Sequence, residues 1–120
     1  MKGRVALVTG GGRGIGREAA LLLAAAGARV MTVARNEAEL KGVGLEYVAA
    51  DLGTDQGCAL AVAETERRLG PVEMLVVNHG IGSAHERLVW EQDPETWRRT
   101  MRVNLDGPFE LTRLTVGGMC

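Results

Sequence analysis

The amino-acid sequence predicts an α/β fold, an open and doubly wound parallel sheet with helices on both faces. Short runs rich in β-branched residues alternate with longer helical patterns, which is typical of successive strand–helix–strand units. The run Met74–Asn78 is almost continuously apolar, as expected of a strand that is buried on both faces. The 120 residues have room for one domain, residues 1–120, with about four strands. A closed eight-stranded barrel needs roughly twice that length.

The first half of the chain is expected to contain three strands and two helices. In order, these are strand Val5–Thr9, helix Ile15–Ala26, strand Arg29–Ala34, helix Glu37–Lys41 and strand Leu45–Ala50. Gly27 ends the first helix. The buried face of that helix is predicted to consist of Ala19, Leu22, Leu23 and Ala26.

The second half is expected to contain one more strand and three helical segments. Thr54 is predicted to cap a helix that runs to about Leu69, and Met74–Asn78 is the fourth strand. Asp93 is predicted to cap the next helix, with proline at its first position. A bend or a break of the helical pattern is expected at Gly107-Pro108, before a last helical segment at residues 109–116.

The composition is that of a soluble globular protein. Hydrophobic residues make up 46% and charged residues 24% of the chain, and the net charge of −1 provides no basic surface for nucleic acid or an anionic membrane. No apolar run approaches the roughly 20 residues of a membrane span. Cys58 and Cys120 have neither metal-ligand spacing nor a disulfide pattern, so we expect a cytoplasmic protein without a metal site.

A glycine-rich segment, residues 9–16, joins the first strand to the first helix and has the sequence TGGGRGIG. A helix begins with unpaired N–H groups and a partial positive charge, so its N-terminus can hold an anion. Glycine adopts positive φ angles and, because it lacks a Cβ, lets a diphosphate approach the backbone. The segment predicts a dinucleotide site, and the alternative is a tight turn that binds nothing.

The spacing of the glycines narrows this interpretation. The common G-x-G-x-x-G/A pattern fits only from Gly14 onward, which is late for a turn that directly follows the strand. Counted from the strand, the sequence is Thr-Gly-x-x-x-Gly-Ile-Gly, with Gly10, Gly14 and Gly16. In this respect it resembles the short-chain dehydrogenase/reductase family.

Three further motifs resemble that family in order and spacing. Asp51-Leu52 closes the third strand, and Asn78-His79-Gly80 closes the fourth, with a histidine where the family usually has alanine. Residues 101–104, Met-Arg-Val-Asn, resemble the segment that carries the family's helix asparagine. The chain is therefore identified as a member of the family, similar to its 3-oxoacyl-[acyl-carrier-protein] reductase-like members. The resemblance implies a Rossmann-like fold, here truncated after about four strands.

The resemblance assigns roles to individual residues. Asp51 would bind the adenine amino group, and Asn104 would be the catalytic residue present, because the family's asparagine helps to hold a catalytic lysine through water. Helical spacing places Asn104 on one face with Trp97 and Met101, so we expect it to point inward. The alternative is a buried asparagine that caps a helix break. The expected cofactor-binding residues are Gly10, Gly12, Arg13, Gly14, Ile15, Gly16, Arg35, Asp51, Leu52, Asn78 and Gly80.

The resemblance also implies an activity for the full-length relative. It would transfer a hydride between a nicotinamide and the carbonyl or alcohol carbon of a small molecule, with a serine and a Tyr-x-x-x-Lys motif, and would form a homo-oligomer. Here Asp51 stands four residues after Tyr47, the one tyrosine; the lysines are Lys2 and Lys41, and the one serine, Ser83, comes too early. We therefore expect a truncated chain that is inactive alone, with its fourth strand at an unpaired edge.

The preferred cofactor is predicted from the end of the second strand. Folds that bind NAD usually place Asp or Glu there, for the ribose 2′-hydroxyl. Here Ala34 is followed by Arg35, whose guanidinium can bind a 2′-phosphate through two hydrogen bonds, and Arg13 adds a second cation. We expect NADP(H), with NAD(H) as the alternative. Without a ligand, Arg35 would be an ordinary solvated charge.

Two hypotheses of other kinds stay open. The chain would be a non-catalytic module that binds NADP(H), or an assembly piece whose exposed fourth strand recruits a complementary chain. His79 is interpreted as a substitution within its motif rather than a general base, because no partner carboxylate is evident. His85 is assigned to a solvated loop.

Overall fold

The computed structural model describes residues 1–82 and 88–120, and Ser83 and His85 lie outside them. The strands are β1 (Val5–Thr9), β2 (Arg29–Ala34), β3 (Glu46–Ala49) and β4 (Met74–Val76). The helices are α1 (Gly14–Ala25), α2 (Glu37–Val43), α3 (Asp55–Arg68), α4 (Pro94–Met101) and α5 (Gly107–Met119). A 3₁₀ turn (Val89–Glu91) precedes α4, and a π-helical segment (Arg102–Asp106) joins α4 to α5.

The four strands form one parallel sheet in the order β3-β2-β1-β4. In β1, Leu7 pairs with Met31 on one side and with Leu75 on the other. β3 pairs with the outer side of β2, where Thr32 lies opposite Tyr47. The chain moves outward from β1 in one direction and then returns to its other side, so the predicted doubly wound α/β fold is confirmed.

Alternate residues of β1 enter two different hydrophobic cores. Ala6 and Val8 pack with Ala20 of α1 on one face of the sheet. Leu7 packs with residues of α3 and α5, such as Ala61 and Leu111, on the other face. Burying a side chain the size of leucine contributes roughly 1.5–3 kcal/mol. Helices that follow β1 and β4 therefore cover opposite faces, which leaves a crevice between the carboxyl ends of these two strands.

The buried face of α1 differs from the prediction. Gly16 and Ala20 are buried and Leu23 is half-buried, whereas Leu22 and Ala26 are exposed. The helix is oriented by Gly16, which packs directly on the backbone of the preceding loop. Residues four and seven positions later share that face, so the stripe follows Gly16 rather than Ala19.

β4 is shorter and less buried than predicted. It ends at Val76 rather than Asn78, and its three residues are half-buried. Among the described residues, only β1 pairs with β4, which therefore lies at the edge of the sheet, as predicted. A strand that is hydrogen-bonded to a neighbouring strand on only one side keeps unpaired backbone N–H and C=O groups along its other edge.

Gly107-Pro108 does not break the helix, because the backbone stays helical from α4 to α5; the regular pattern is instead interrupted by the π-helical segment before it. Gly107 donates its N–H to the carbonyl of Arg102, five residues earlier. Proline has no N–H, and its ring crowds the carbonyl four residues before it. The wider π turn accommodates Pro108 without ending the helix.

Among the described residues, none of the helices combines the length and apolar character needed to cross a bilayer.

Candidate functional site

A cleft of about 530 Å³ opens at the carboxyl ends of the strands, where the strand order reverses at β1. Most of the predicted binding residues line it: Gly10, Gly12, Arg13, Gly14, Ile15, Arg35, Asp51, Leu52, Asn78 and Gly80. Gly16 is instead buried beneath the glycine segment, and Asn104 lies beside the cleft, bonded to Ile81 of its lining. The lining also contains residues that were not predicted to bind: Ala34, Asn36, Glu39, Ala50, His79, Ile81, Arg99 and Val103.

The glycine segment between β1 and α1 requires glycine for two different reasons. Gly10 and Gly14 have φ angles of +64° and +57°, which residues with side chains rarely adopt. A Cβ on Gly16 would collide with the carbonyl oxygen of Gly10 and lie 2.5 Å from Nδ2 of Asn78. By contrast, no atom lies within 4 Å of the position of a Cβ on Gly14. The segment is therefore packed tightly at Gly16 and open to the cleft at Gly14.

The N–H groups of the glycine segment fall into two sets. Gly10 and Gly11 donate theirs to the carbonyl of Val33, at 2.8 and 3.4 Å, and so tie the segment to β2. Gly10 thus shapes the turn rather than offering a donor. Arg13, the N-cap of α1, makes no side-chain hydrogen bond to the first turn. Because the first N–H groups of a helix have no acceptor within it, those of Gly14 and Ile15 are the donors at the mouth of the cleft.

Asp51 is held by Arg99 of α4, which the sequence did not predict. Nη1 of Arg99 donates to Oδ2 at 3.0 Å and Nη2 donates to Oδ1 at 3.1 Å, while the Gly53 N–H donates to Oδ1 at 2.9 Å. The hydrogen bonds from Arg99 lower the pKa of Asp51, against the opposing effect of burial. A carboxylate offers about four lone-pair sites, so Oδ2 retains one for a ligand.

The cations near the end of β2 share their side of the cleft with a carboxylate. Arg35 is exposed, and its charge contributes to the lowered pKa of Asp51. Nε of Arg13, an exposed residue, lies 3.9 Å from Oε2 of the half-buried Glu39, in a long ion pair that contributes little stability. Asn36 caps α2 by accepting the Glu39 N–H at 3.1 Å, which fixes Glu39 in the first turn facing the glycine segment. The spacing of a cap residue and a glutamate three positions later is the sequence signal that could have placed it.

The prediction that Asn104 points into the protein is wrong. Asn104 is exposed, and its side-chain amide pairs with the backbone of Ile81: Oδ1 accepts the N–H at 2.8 Å and Nδ2 donates to the carbonyl at 2.7 Å. The prediction assumed α-helical spacing from Trp97, but the helix is wound as a π turn from Arg102 onward, and Trp97 itself is exposed. The asparagine thus fixes the loop that follows β4.

His79 lies between β1 and the π-helical segment. Its Nδ1 is 2.8 Å from Oγ1 of Thr9, and its Nε2 is 2.9 Å from the carbonyl oxygen of Val103. Burial lowers the pKa of His79, although the hydrogen bond to Val103 opposes this. The imidazole therefore bridges two elements at the base of the cleft, and both of its ring nitrogens are engaged.

The described part of the cleft contains neither the tyrosine of this chain nor a group of side chains that could bind a metal ion. Tyr47 is in β3, outside the lining of the cleft, and its hydroxyl donates to Glu37 at 3.3 Å. Within residues 1–82 and 88–120, no three His, Cys, Asp or Glu side chains come together as a metal-binding group. The polar groups that line the cleft are backbone groups, the cations Arg13, Arg35 and Arg99, the carboxylates Glu39 and Asp51, two asparagines and His79.

The profile of a protein family described as short chain dehydrogenase matches residues 4–120. The chain belongs to this family. The family is one of oxidoreductases, and the glycine segment and cleft described above lie within the matched residues.

Several proteins are similar to this chain. Acetoacetyl-CoA reductase of Rhizobium meliloti (strain 1021) is 37% identical over 97% of this chain and 49% of its own length. The NADP-dependent (R)-specific alcohol dehydrogenase of Lentilactobacillus kefiri is 36% identical over 99% of this chain and 50% of its own length. The chain thus spans about half the length of the curated relatives it matches.

Solved structures give the same result. L-Sorbose reductase from Gluconobacter frateurii, in complex with NADPH and L-sorbose, superposes with a TM-score of 0.91 at 29% identity, over 99% of this chain and 48% of the reductase. The 3-ketoacyl-(acyl-carrier-protein) reductase from Brucella melitensis, in complex with NADH, superposes with a TM-score of 0.90 at 33% identity, over 97% and 50%. The predicted family and its Rossmann-like fold are therefore confirmed.

Proposed function

We propose that the cleft binds NADP(H), with the diphosphate over the N-terminus of α1. One observation carries the proposal: the first turn of α1 opens onto the cleft with its N–H groups uncapped by any side chain, and a Cβ on Gly14 would meet no other part of the protein within 4 Å. A helix N-terminus of this kind favours an anion through both its N–H groups and its partial positive charge. Gly14 and Ile15 would donate to the diphosphate, and Gly12 would let it approach.

The rest of the cleft offers groups for the other parts of a dinucleotide. Asp51 would accept a hydrogen bond from the adenine amino group on the remaining lone pair of Oδ2, with Leu52 beside the ring. Asn78 and Gly80, in the loop after β4, would lie at the nicotinamide end. These residues line one continuous cleft. Its volume, about 530 Å³, is within the usual range of cofactor sites.

We propose NADP(H) rather than NAD(H) because of the residues at the end of β2. Ala34 provides no carboxylate for a ribose 2′-hydroxyl, and Arg35 is free to meet a 2′-phosphate. Relatives named as NADP-dependent or solved with NADPH support this choice. Glu39 acts against it, because its carboxylate lies near Arg13 and would repel a phosphate. The relative solved with NADH keeps NAD(H) as the alternative.

For the whole protein we propose hydride transfer between this cofactor and the carbonyl or secondary alcohol carbon of a small molecule. When bound, the cofactor supplies the hydride, while the chain positions the ring through Asn78 and Gly80. Asn104 would be the one catalytic-group member among these 120 residues. Because they include no Tyr-x-x-x-Lys motif, we propose that they bind the cofactor without turning over substrate. A homo-oligomer is the assembly we propose for the full-length protein.

A titration with NADPH tests the proposal. A monodisperse preparation of the 120-residue chain should bind NADPH saturably in calorimetry, with NADH as the comparison ligand, and should not oxidise NADPH when a small ketone is added. Gly14→Val, which adds a β-branched side chain at a positive φ angle and in front of the helix N-terminus, should abolish binding. Equal binding by this variant, or no binding by the original chain at millimolar NADPH, would refute the site.

One observation favours a second function, that of an assembly module. β4 lies at the edge of the sheet and its residues are only half-buried. A strand with a free edge can pair with a strand of another chain. Size-exclusion chromatography at several concentrations distinguishes the two functions: a monomer that binds NADPH favours the cofactor module, and a concentration-dependent complex without NADPH binding favours assembly.

A further inference from the structure

The carbonyl of Val103 in the π-helical segment has lost its usual main-chain partners. In an α-helix it would accept the N–H of Gly107, four residues later, but that N–H is bonded to Arg102. In a π-helix it would accept from the residue five positions later, which is Pro108 and has no N–H. A buried carbonyl without a donor costs roughly 1–3 kcal/mol. The winding that accommodates Pro108 therefore leaves one acceptor to be satisfied from elsewhere.

His79 supplies the missing donor. Its Nε2 lies 2.9 Å from the Val103 oxygen, and a carbonyl oxygen can only accept, so Nε2 must carry a proton. On the other side, Oγ1 of Thr9 already accepts the N–H groups of Asn78 and His79, at 3.0 and 3.3 Å. Its hydroxyl proton has two acceptors within reach, Nδ1 of His79 at 2.8 Å and the carbonyl oxygen of Val76 at 3.3 Å, and the shorter contact is the one to Nδ1. The neutral imidazole with the proton on Nε2 satisfies all of these groups, whereas an imidazolium would force a third donor onto Thr9.

The backbone around His79 and the π turn is closely packed. A Cβ on Gly107 would collide with the carbonyl of Leu52 and lie 3.2 Å from Nε2 of His79. The start of α5, directly after the π turn, thus packs against both the imidazole and the loop after β3. Asn104, next to Val103, makes its two hydrogen bonds to Ile81. Three hydrogen bonds, from two side chains, therefore join the loop after β4 to the π turn.

We propose that His79 is a positioning residue, which fixes the π-helical turn and thereby places Asn104 beside the cleft. It acts through the Val103 carbonyl and does not itself touch the cofactor or the reacting atoms. The importance of this placement for catalysis rests on the proposed function. The sequence identified His79 only as a departure from its motif. In the structure, the Nε2–H of His79 replaces the N–H donor that Pro108 lacks.

A double-mutant cycle tests the link between His79 and Pro108. His79→Ala should lower the equilibrium constant for folding by about tenfold, the value of one hydrogen bond. In a Pro108→Ala background the same change should cost much less, because residue 108 or 107 can then donate to Val103 in either helical winding. Equal costs in the two backgrounds would overturn the proposal.

Two replacements of similar size provide the matched control. His79→Gln places an amide donor near the position of Nε2, whereas His79→Asn places one near Nδ1 and is too short to reach Val103. Below the unfolding temperature, the NMR signal of the Asn104 side-chain amide should move in the Asn variant and return in the Gln variant. Equivalent signals in both variants would contradict a positioning role.

Imidazole nitrogen shifts of the unaltered chain provide a test that needs no variant to fold. Near neutral pH, His79 should show a protonated Nε2 and an unprotonated, hydrogen-bonded Nδ1. The opposite tautomer would overturn the proposal. None of these measurements uses a nucleotide, so a chain that fails to bind NADPH but gives these signals would refute the proposed function and leave the role of His79 intact.

Discussion

Arg99 donates two parallel hydrogen bonds, 3.0 and 3.1 Å long, to the carboxylate of Asp51 and so connects α4 to the loop after β3. Bidentate pairs of this kind are the strongest ion pairs that a guanidinium forms. The neighbouring Arg98 provides a contrast, because its nearest carboxylate is Glu95, at 3.9 Å between two exposed side chains. Two adjacent arginines of one helix thus differ in their ion pairs: Arg99 forms a close bidentate pair, and Arg98 forms only a long, solvated one.

The first prediction compares these two arginines. Arg99→Ala should lower the free energy of unfolding by about 1 kcal/mol, a value reduced for the partial exposure of the pair. Arg98→Ala should change it by no more than a few tenths of a kcal/mol, because that side chain is solvated. Urea denaturation of both variants measures the difference. Equal losses would show that the bidentate contact contributes nothing beyond helix propensity.

The pH dependence of the Arg99 variant follows from the lowered pKa of Asp51. A carboxyl with a lowered folded-state pKa contributes stability above its unfolded pKa and loses it as the pH falls through the folded value. The destabilisation by Arg99→Ala should therefore be full at pH 7 and should decrease as the pH falls below the unfolded pKa of about 4, towards the lowered folded value. Denaturation at pH 7, 5 and 3 measures this; a cost that is unchanged at pH 3 would contradict it.

A second prediction concerns the choice between NADPH and NADH. Arg35→Ala should weaken NADPH binding by about tenfold and leave NADH binding unchanged, because only NADPH carries the 2′-phosphate. Arg29, at the opposite end of β2, is also exposed and is the matched control. Isothermal calorimetry with both cofactors checks the result. A similar loss for both cofactors would assign Arg35 a structural role.

Glu39 leads to the converse prediction. Glu39→Gln removes a negative charge 3.9 Å from Arg13 while keeping the shape of the side chain. NADPH affinity should therefore rise severalfold relative to NADH affinity, and the gain should shrink at high salt because Arg13 is exposed and Glu39 is partly accessible to solvent. Binding measured at two ionic strengths tests both statements. A gain that is the same for NADH would mean that Glu39 acts on a part common to both cofactors.

A third prediction separates two glycines by the space around them. Gly16→Ala should destabilise the chain by about 3 kcal/mol, because its Cβ would collide with the Gly10 carbonyl and displace α1 from the sheet. Gly42 lies in α2 with nothing within 4 Å of a Cβ, so Gly42→Ala should slightly stabilise the helix. Thermal unfolding compares them. Comparable midpoints would mean that the contact at Gly16 relaxes at little cost.

Features set by local sequence were predicted well. The bounds of β1 and β2 agree with the prediction: Gly10 directly follows β1, and Gly27 precedes β2. The predicted caps Thr54 and Asp93 accept N–H groups in the first turns of their helices, as local chemistry requires. Likewise, most of the predicted binding residues line the cleft, because they follow parallel strands whose carboxyl ends meet at one edge.

Features that depend on distant segments were missed. Arg99 is 48 residues from Asp51 in sequence, and nothing in the local pattern marks it as a partner. The orientation of Asn104 was wrong because the position was derived from α-helical spacing, whereas Pro108 changes the winding before it. The role of His79 depends on that same winding. A tertiary contact or an irregular helix must be seen before such residues can be assigned.

The last prediction concerns Cys58, whose thiol is buried in α3 and donates weakly to the carbonyl of Leu52. Burial, assisted by the charge of Glu110, raises its pKa to about 11. At pH 8 only about one thiol in a thousand is then ionised, and the thiolate is the reactive form. In a Cys120→Ser variant, a thiol reagent such as dithionitrobenzoate should therefore react slowly with the folded chain and at the rate of a free thiol in urea. Rapid reaction of the folded variant would show that α3 opens readily and that the core on this face of the sheet is loosely packed.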